Sequence, residues 1–128
     1  ILLPYVIRYN GTRPSKTTTW PKYNYWKADE KFQDIARMLG LPHSTPEEAV
    51  EAYAKAVYDL GVAVGIKMNF KDQGIDEKAW KDSLHEIALL AYEDQCSPAN
   101  PRLPMVADME EIMADAYYGY AKRPGRRK

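Results

Sequence analysis

The sequence predicts an all-α protein of about five helices, and three observations carry that expectation. Apolar residues recur at three- and four-residue steps over long stretches, the period of a helix with one buried face. Helix punctuation flanks those stretches, with Thr45-Pro46 and Asp76 at starts and Gly40, Gly65 and Gly119 at ends. No run alternates apolar and polar residues as a half-buried strand would, and no internal repeat is found. A chain of 128 residues with 45% apolar content is large enough for one helical core.

Residues 1–9 read as the end of a helix, with Leu2, Leu3, Val6 and Ile7 too apolar for an exposed terminus. The chain opens at Ile1 inside that apolar pattern with no cap before it, so a piece of a longer polypeptide is expected. Asn10-Gly11 is a stop signal of the left-handed kind. Residues 11–25 lack periodicity but hold Trp20, Tyr23 and Tyr25. A disordered linker rarely carries so many rings, so an ordered loop anchored by Trp20 and Trp26 is expected.

Residues 27–39 place Phe32, Ile35, Ala36 and Leu39 on one helical face, ended by Gly40. Thr45 then caps a helix with Pro46 at its first position and Glu48 placed to close a capping box. That helix is expected to reach Val64, burying Val50, Tyr53, Ala54, Val57, Leu60 and Val64. In residues 66–75 the expected buried points are Met68, Phe70 and Ile75, and Gly74 suits a positive φ. Asp76 caps a helix through Tyr92 with a stripe of Trp80, Leu84, Ile87, Ala88 and Ala91. Asp108 is expected to start the last helix, with Glu111 completing a second box and Met109, Ile112, Met113 and Ala116 facing inward. Residues 120–128 read as a flexible basic tail after a helical body of residues 1–119.

Formal net charge is zero, but five of the cationic residues fall in the last seven positions, which leaves residues 1–121 at minus five. An acidic body without a basic groove argues against a nucleic-acid partner, and aromatic stacking on bases by the 20–26 rings is disfavoured for the same reason. The apolar opening is far short of the ~20 residues that span a bilayer, so no membrane partner is expected. One cysteine forms no internal disulfide and asks for no oxidising compartment, which makes a cytoplasmic setting the expectation.

Catalytic chemistry is sparse. His43 and His85 are the two histidines, and neither has a ligand-type partner at helical spacing, so no metal site is expected. His43 is expected to face solvent or cap, and His85 to be a half-buried structural residue. The Glu pairs 47–48 and 110–111 sit in first helical turns, where the macrodipole accounts for them.

Residues 93–102, Glu-Asp-Gln-Cys-Ser-Pro-Ala-Asn-Pro-Arg, form the stretch with most to offer. Pro98 and Pro101 keep it out of both flanking helices and are expected to push Ser97 and Asn100 away from helical geometry. Its bland reading is an interhelix connector. Cys96, the sole thiol, follows a helix C-terminus and sits near Asp94; both raise its pKa, so it suits the lining of a pocket better than nucleophilic attack.

Asp94–Arg102 resembles the C-terminal signature of iron-dependent (group III) alcohol dehydrogenases. Ile-Leu-Leu-Pro-Tyr-Val-Ile-Arg-Tyr-Asn at 1–10 is similar to the helix following that family's metal-ligand segment. Asp34-Ile-Ala-Arg, Gly65-Ile and Asp72-Gln-Gly-Ile fall in the family's order, while Ala116-Tyr-Tyr-Gly and the 12–25 insertion resemble the bifunctional aldehyde–alcohol dehydrogenases. The resemblance covers nearly the whole chain, and its specificity lies in the ordered set.

It implies most of the C-terminal helical subdomain of a dehydroquinate synthase-like enzyme that reduces acetyl-CoA to acetaldehyde and then to ethanol. In that enzyme iron polarises the carbonyl oxygen and hydride comes from NADH. The family's metal ligands and nucleotide site lie upstream of the segment matching Ile1, so catalytic, metal- and cofactor-binding residues in this chain are none. NAD and Fe2+ are cofactors of the intact enzyme, and the chain alone is expected to be inactive. Cys96 matches the family's cleft-lining cysteine; Asp94, Pro98, Asn100, Pro101 and Arg102 match the turn-shaping signature. The implied partners are the nucleotide-binding subdomain and the aldehyde dehydrogenase part of the same enzyme, in a homo-oligomer or filament. The alternative is a non-catalytic helical module that binds a partner or self-assembles through an uncovered apolar face.

Overall fold

The computed structural model describes residues 1–14 and 26–119. The expected loop containing Trp20, Tyr23 and Tyr25 and the expected basic tail at 120–128 lie outside the described residues. Within them are five α-helices and no strand: α1 (Leu3–Gly11), α2 (Ala28–Met38), α3 (Pro46–Ala63), α4 (Glu77–Glu93) and α5 (Val106–Tyr118), with a 3-10 turn at Ser97–Ala99.

The caps act much as the sequence indicates. Thr45 Oγ1 accepts the Glu48 N–H at 3.2 Å, and Asp76 Oδ1 accepts the Ala79 N–H at 2.9 Å. The Glu48 carboxylate reaches back to the N–H of Ser44 at 2.7 Å, one residue earlier than a capping box on Thr45 would place it. Gly40 (φ 68°) ends α2 with the Leu41 N–H donating to the Ala36 carbonyl, a Schellman closure that needs the left-handed residue.

Two boundaries differ from expectation. Asn10 and Gly11 remain helical, and the chain turns extended only at Thr12. Gly11 is required by packing, because a Cβ there would lie 2.5 Å from Val50 Cγ2. The last helix begins at Val106, so Asp108 is its third residue and not its cap. Its Oδ2 accepts the Met105 N–H at 2.8 Å, the cap-to-third-residue pairing that the sequence predicts for Asp108 and Glu111, shifted three residues towards the N-terminus.

α1, α2 and α3 pack around Ile7, Val50 and Ala54, with Phe32, Tyr53 and Val57 against them. Arg8 adds a two-pronged pair to Glu51, at 2.8 and 2.9 Å. The buried stripe of α3 runs 50–54–57 and then continues through Gly61, which carries Met68 on its face. Leu60 and Val64, expected inside, are therefore rotated out and are 64% and 65% exposed.

α4 and α5 run antiparallel, and Trp80 stacks between Phe70 and Tyr117 at centroid distances of 5.0 and 5.4 Å. Ile87 and Ile75, expected inside, are partly exposed, at 38% and 40%. Residues 66–75 close the end of α5: the Phe70 and Lys71 N–H groups donate to the Ala116 and Tyr117 carbonyls, and the Tyr117 hydroxyl donates to Ile75 O. Carbonyls that a helix C-terminus leaves without intrahelical partners are thereby satisfied. The two groups of helices meet where α1 crosses α5.

Candidate functional site

α4 ends at Glu93, and Asp94 steps out of helical geometry with φ −61° and ψ 133°. Its Oδ1 accepts the Cys96 N–H at 2.8 Å, and its carbonyl accepts the Ser97 N–H at 3.0 Å. The Ser97 hydroxyl donates back to Ala91 O at 2.6 Å. These bonds hold Ser97 in the 3-10 turn despite the Pro98 that follows, so the expectation that Pro98 forces Ser97 out of helical geometry is not met. Asn100, before Pro101, is extended as expected, with φ −65° and ψ 139°.

Beyond the prolines the turn is fastened to the end of α1. Asn100 and Asn10 exchange amide hydrogen bonds: Asn100 Nδ2 donates to Asn10 Oδ1 at 2.7 Å and Asn10 Nδ2 to Asn100 Oδ1 at 3.1 Å. Asn100 Nδ2 also reaches the Arg102 carbonyl. Arg102 donates to Tyr9 O at 3.0 Å and lays its guanidinium 4.0 Å from the centre of the Tyr9 ring. A cation there also complements the C-terminal end of α1. The Tyr9 hydroxyl lies 3.1 Å from both Leu103 O and Asp108 Oδ2. Trp26, one of the two expected anchors, donates its indole N–H to Asn10 O at 3.1 Å.

Between α1, α5 and this turn runs an open groove of about 410 Å³. Leu2, Val6, Met109, Ile112 and Met113 give it an apolar floor, and Cys96 and Asp94 stand on its wall. The thiol is exposed. Asp94 raises its pKa, first through the hydrogen bond it accepts from the thiol and then through its charge, as the sequence indicated. Tyr9, the other weak acid of the lining, is pushed up to about 12 by burial and by Asp108, against an opposing pull from Arg102. Both groups are protonated near neutrality. The groove therefore offers an apolar surface with a protonated thiol and phenol at its edges and the Asp94 carboxylate on its wall, not a thiolate or phenolate poised as a nucleophile.

The histidines lie elsewhere. His85 Nδ1 is 2.6 Å from Glu110 Oε1 of α5, with the histidine side chain 76% exposed and not half-buried as expected. His43 Nδ1 contacts Leu41 O at 2.7 Å. Among the described residues no three His, Cys, Asp or Glu side chains converge, so this donor set does not fit an iron ion. No helix among the described residues is long and apolar enough to cross a membrane.

Of the groups that build the site, Asn10 and Tyr9 escaped the sequence reading. Asn10 has the composition of a helix stop, and nothing local distinguishes that from a buried amide whose partner is 90 residues away.

Comparison with known proteins bears on the whole chain. It is 78% identical over all its 128 residues to the aldehyde-alcohol dehydrogenase of Streptococcus pneumoniae serotype 2. It is 55% identical over 121 residues, 94% of its length, to aldehyde-alcohol dehydrogenase 2 of Entamoeba histolytica. Over 122 residues, 93% of its length, it is 30% identical to the bifunctional aldehyde-alcohol dehydrogenase of Escherichia coli. In each case it spans 14% of the relative's own length. Residues 1–117 match the C-terminal region of the Fe-containing alcohol dehydrogenases, and the chain belongs to that family.

Proposed function

We propose that this chain is part of the alcohol dehydrogenase portion of a bifunctional aldehyde–alcohol dehydrogenase, in which the groove beside Cys96 is one wall of the substrate cleft. The reading assigns residues 1–119 to the helical subdomain and residues 120–128 to its tail. NAD and iron belong to the remainder of the polypeptide, and the reduction of acetyl-CoA to acetaldehyde and ethanol is the activity of the whole. One observation carries the cleft-wall role: the sole thiol stands exposed on an apolar groove while the signature residues around it are spent on holding the turn. This chain's residues contribute shape and water exclusion, with no proton transfer or ligand bond assigned to them. Cys96 supplies bulk at the wall; Asp94, Pro98, Asn100, Pro101 and Arg102 fix where that bulk stands. The proposed setting is cytoplasmic, with the rest of the enzyme and further copies of it as partners.

The test is kinetic, in the full-length polypeptide. Cys96→Trp is expected to raise KM for ethanol and acetaldehyde at least tenfold, and Cys96→Ser to stay within about threefold. Unchanged KM values in a folded Cys96→Trp enzyme would remove the cleft-wall reading. A second reading, a helical module that docks a partner, is favoured by the exposed run Leu60, Val62, Val64 and Ile66. An intact-mass measurement from the natural source separates the two: a product of about this chain's 14.7 kDa supports the module, and a several-fold larger one the enzyme.

A further inference from the structure

We propose that Asn10 and Tyr9, at the end of α1, are positioning residues that clamp the Cys96-bearing turn and thereby set the width of the groove. The turn has two attachments of different kinds. On the α4 side they are local, from Asp94 to Cys96 and Ser97 and from Ser97 to Ala91, and they fix its internal shape. They do not fix its distance from α1, the opposite side of the groove.

That distance is held by contacts crossing more than 85 residues of sequence. Asn10 is 7% exposed, and its side-chain oxygen and nitrogen are both committed to Asn100. A reciprocal amide pair constrains separation and orientation together, as one hydrogen bond does not. Tyr9 extends the clamp at a second point, with its ring beneath the Arg102 guanidinium and its hydroxyl between Leu103 and Asp108. Asp108 also holds the Met105 N–H, so the same hydroxyl ties α1 to the start of α5. Leu2, Val6 and Tyr9 line the groove from α1, whereas Cys96, Ser97 and Asn100 line it from the turn. The clamp is what joins the two sides. Buried polar groups so fully paired specify one arrangement where apolar contacts would permit several.

Only the functional meaning of this clamp rests on the cleft-wall reading; the mechanical claim is testable without it. Cys96 is the single cysteine of these 128 residues, and with any cysteine elsewhere in the full-length polypeptide replaced by serine, a nitroxide label on it reports the motion of the turn alone. Asn10→Leu in the full chain, a near-isosteric change that removes both hydrogen bonds, is expected to narrow the spectrum with at least a twofold drop in label correlation time. Tyr9→Phe, which keeps the ring and removes the hydroxyl, is expected to give a smaller shift in the same direction. Thr45→Ala removes the cap of α3, away from the turn, and is expected to lower Tm with no change in the spectrum.

Parental spectra from folded Asn10→Leu, or from Tyr9→Phe should Asn10→Leu not fold, would overturn the inference. So would a narrowed spectrum in Thr45→Ala, since the effect would then follow global stability. A mobile turn in Asn10→Leu together with unaltered KM in the Cys96→Trp enzyme would keep the clamp and discard the cleft wall.

Discussion

Replacing Gly11 by alanine sets two rules against each other. Gly11 is the last residue of α1, where glycine is worse than alanine by at most the ~1 kcal/mol of a helix interior, so propensity alone expects Gly11→Ala to stabilise the protein. The tertiary contact says otherwise. The new Cβ would stand 2.5 and 2.6 Å from the two Val50 methyls, against the ~3.5–4.0 Å of an ordinary carbon contact. Val50 has little room to yield, being 6% exposed and β-branched on a helix, where one χ1 rotamer dominates. The helices must therefore separate by about 1 Å at the Ile7–Val50–Ala54 cluster, and overpacking of that sort costs about 1–3 kcal/mol. Taking ~2 kcal/mol for the clash and at most ~1 kcal/mol for the propensity gain leaves at least about 1 kcal/mol of destabilisation. With ~2 cal/mol/K per residue of unfolding entropy over 128 residues, that is a Tm fall of roughly 4 °C. Denaturant titration and thermal melts of Gly11→Ala, Val50→Ala and the double variant measure it. The double variant is expected to be more stable than the sum of the singles by about 2 kcal/mol, the whole of the clash, because Val50→Ala removes both methyls and the added Cβ enters the space they vacate. A Gly11→Ala protein that melts at or above the parent temperature, or a strictly additive cycle, would refute the packing argument.

Thr45→Ala is expected to lose about 1 kcal/mol and roughly 4 °C of Tm in a thermal melt, since it removes the acceptor for the Glu48 N–H. Asp94→Asn is expected to bring the Cys96 pKa down toward an ordinary thiol and to speed alkylation at pH 8, read by mass spectrometry against pH; an unchanged profile would count against Asp94 as the cause. Glu77 is held below the usual carboxylate range, first by its hydrogen bond from Lys81 and then by that from Tyr118. A carboxylate whose folded pKa is depressed contributes stability above its unfolded pKa and loses it as pH falls through the folded value. Glu77→Gln should therefore flatten the acid limb of the stability–pH curve below about pH 4.5, while the curve near pH 7 keeps its shape.

Much of this protein follows from its sequence because the relevant signals are local. The helix order, the Thr45 and Asp76 caps, and the glycines at 40, 65, 74 and 119 depend on contacts a few residues long, which the chain carries wherever it folds. The depressed acidity of Cys96 is equally local, since Asp94 is two residues away. Tertiary packing decided the rest. Which side of α3's last turn is buried was settled by Met68 lying on Gly61, so Leu60 and Val64 face out although their spacing says in. Gly11 reads as a stop and is a close-approach site, because only the meeting of α1 with α3 reveals the Val50 methyls. The clamp of Asn10 on Asn100 and of Tyr9 on Arg102 joins residues some 90 positions apart, and a pairing at that separation has no periodicity or cap to announce it. Short-range geometry is written in residue types; the distance between α1 and the Cys96 turn exists only once the helices have packed.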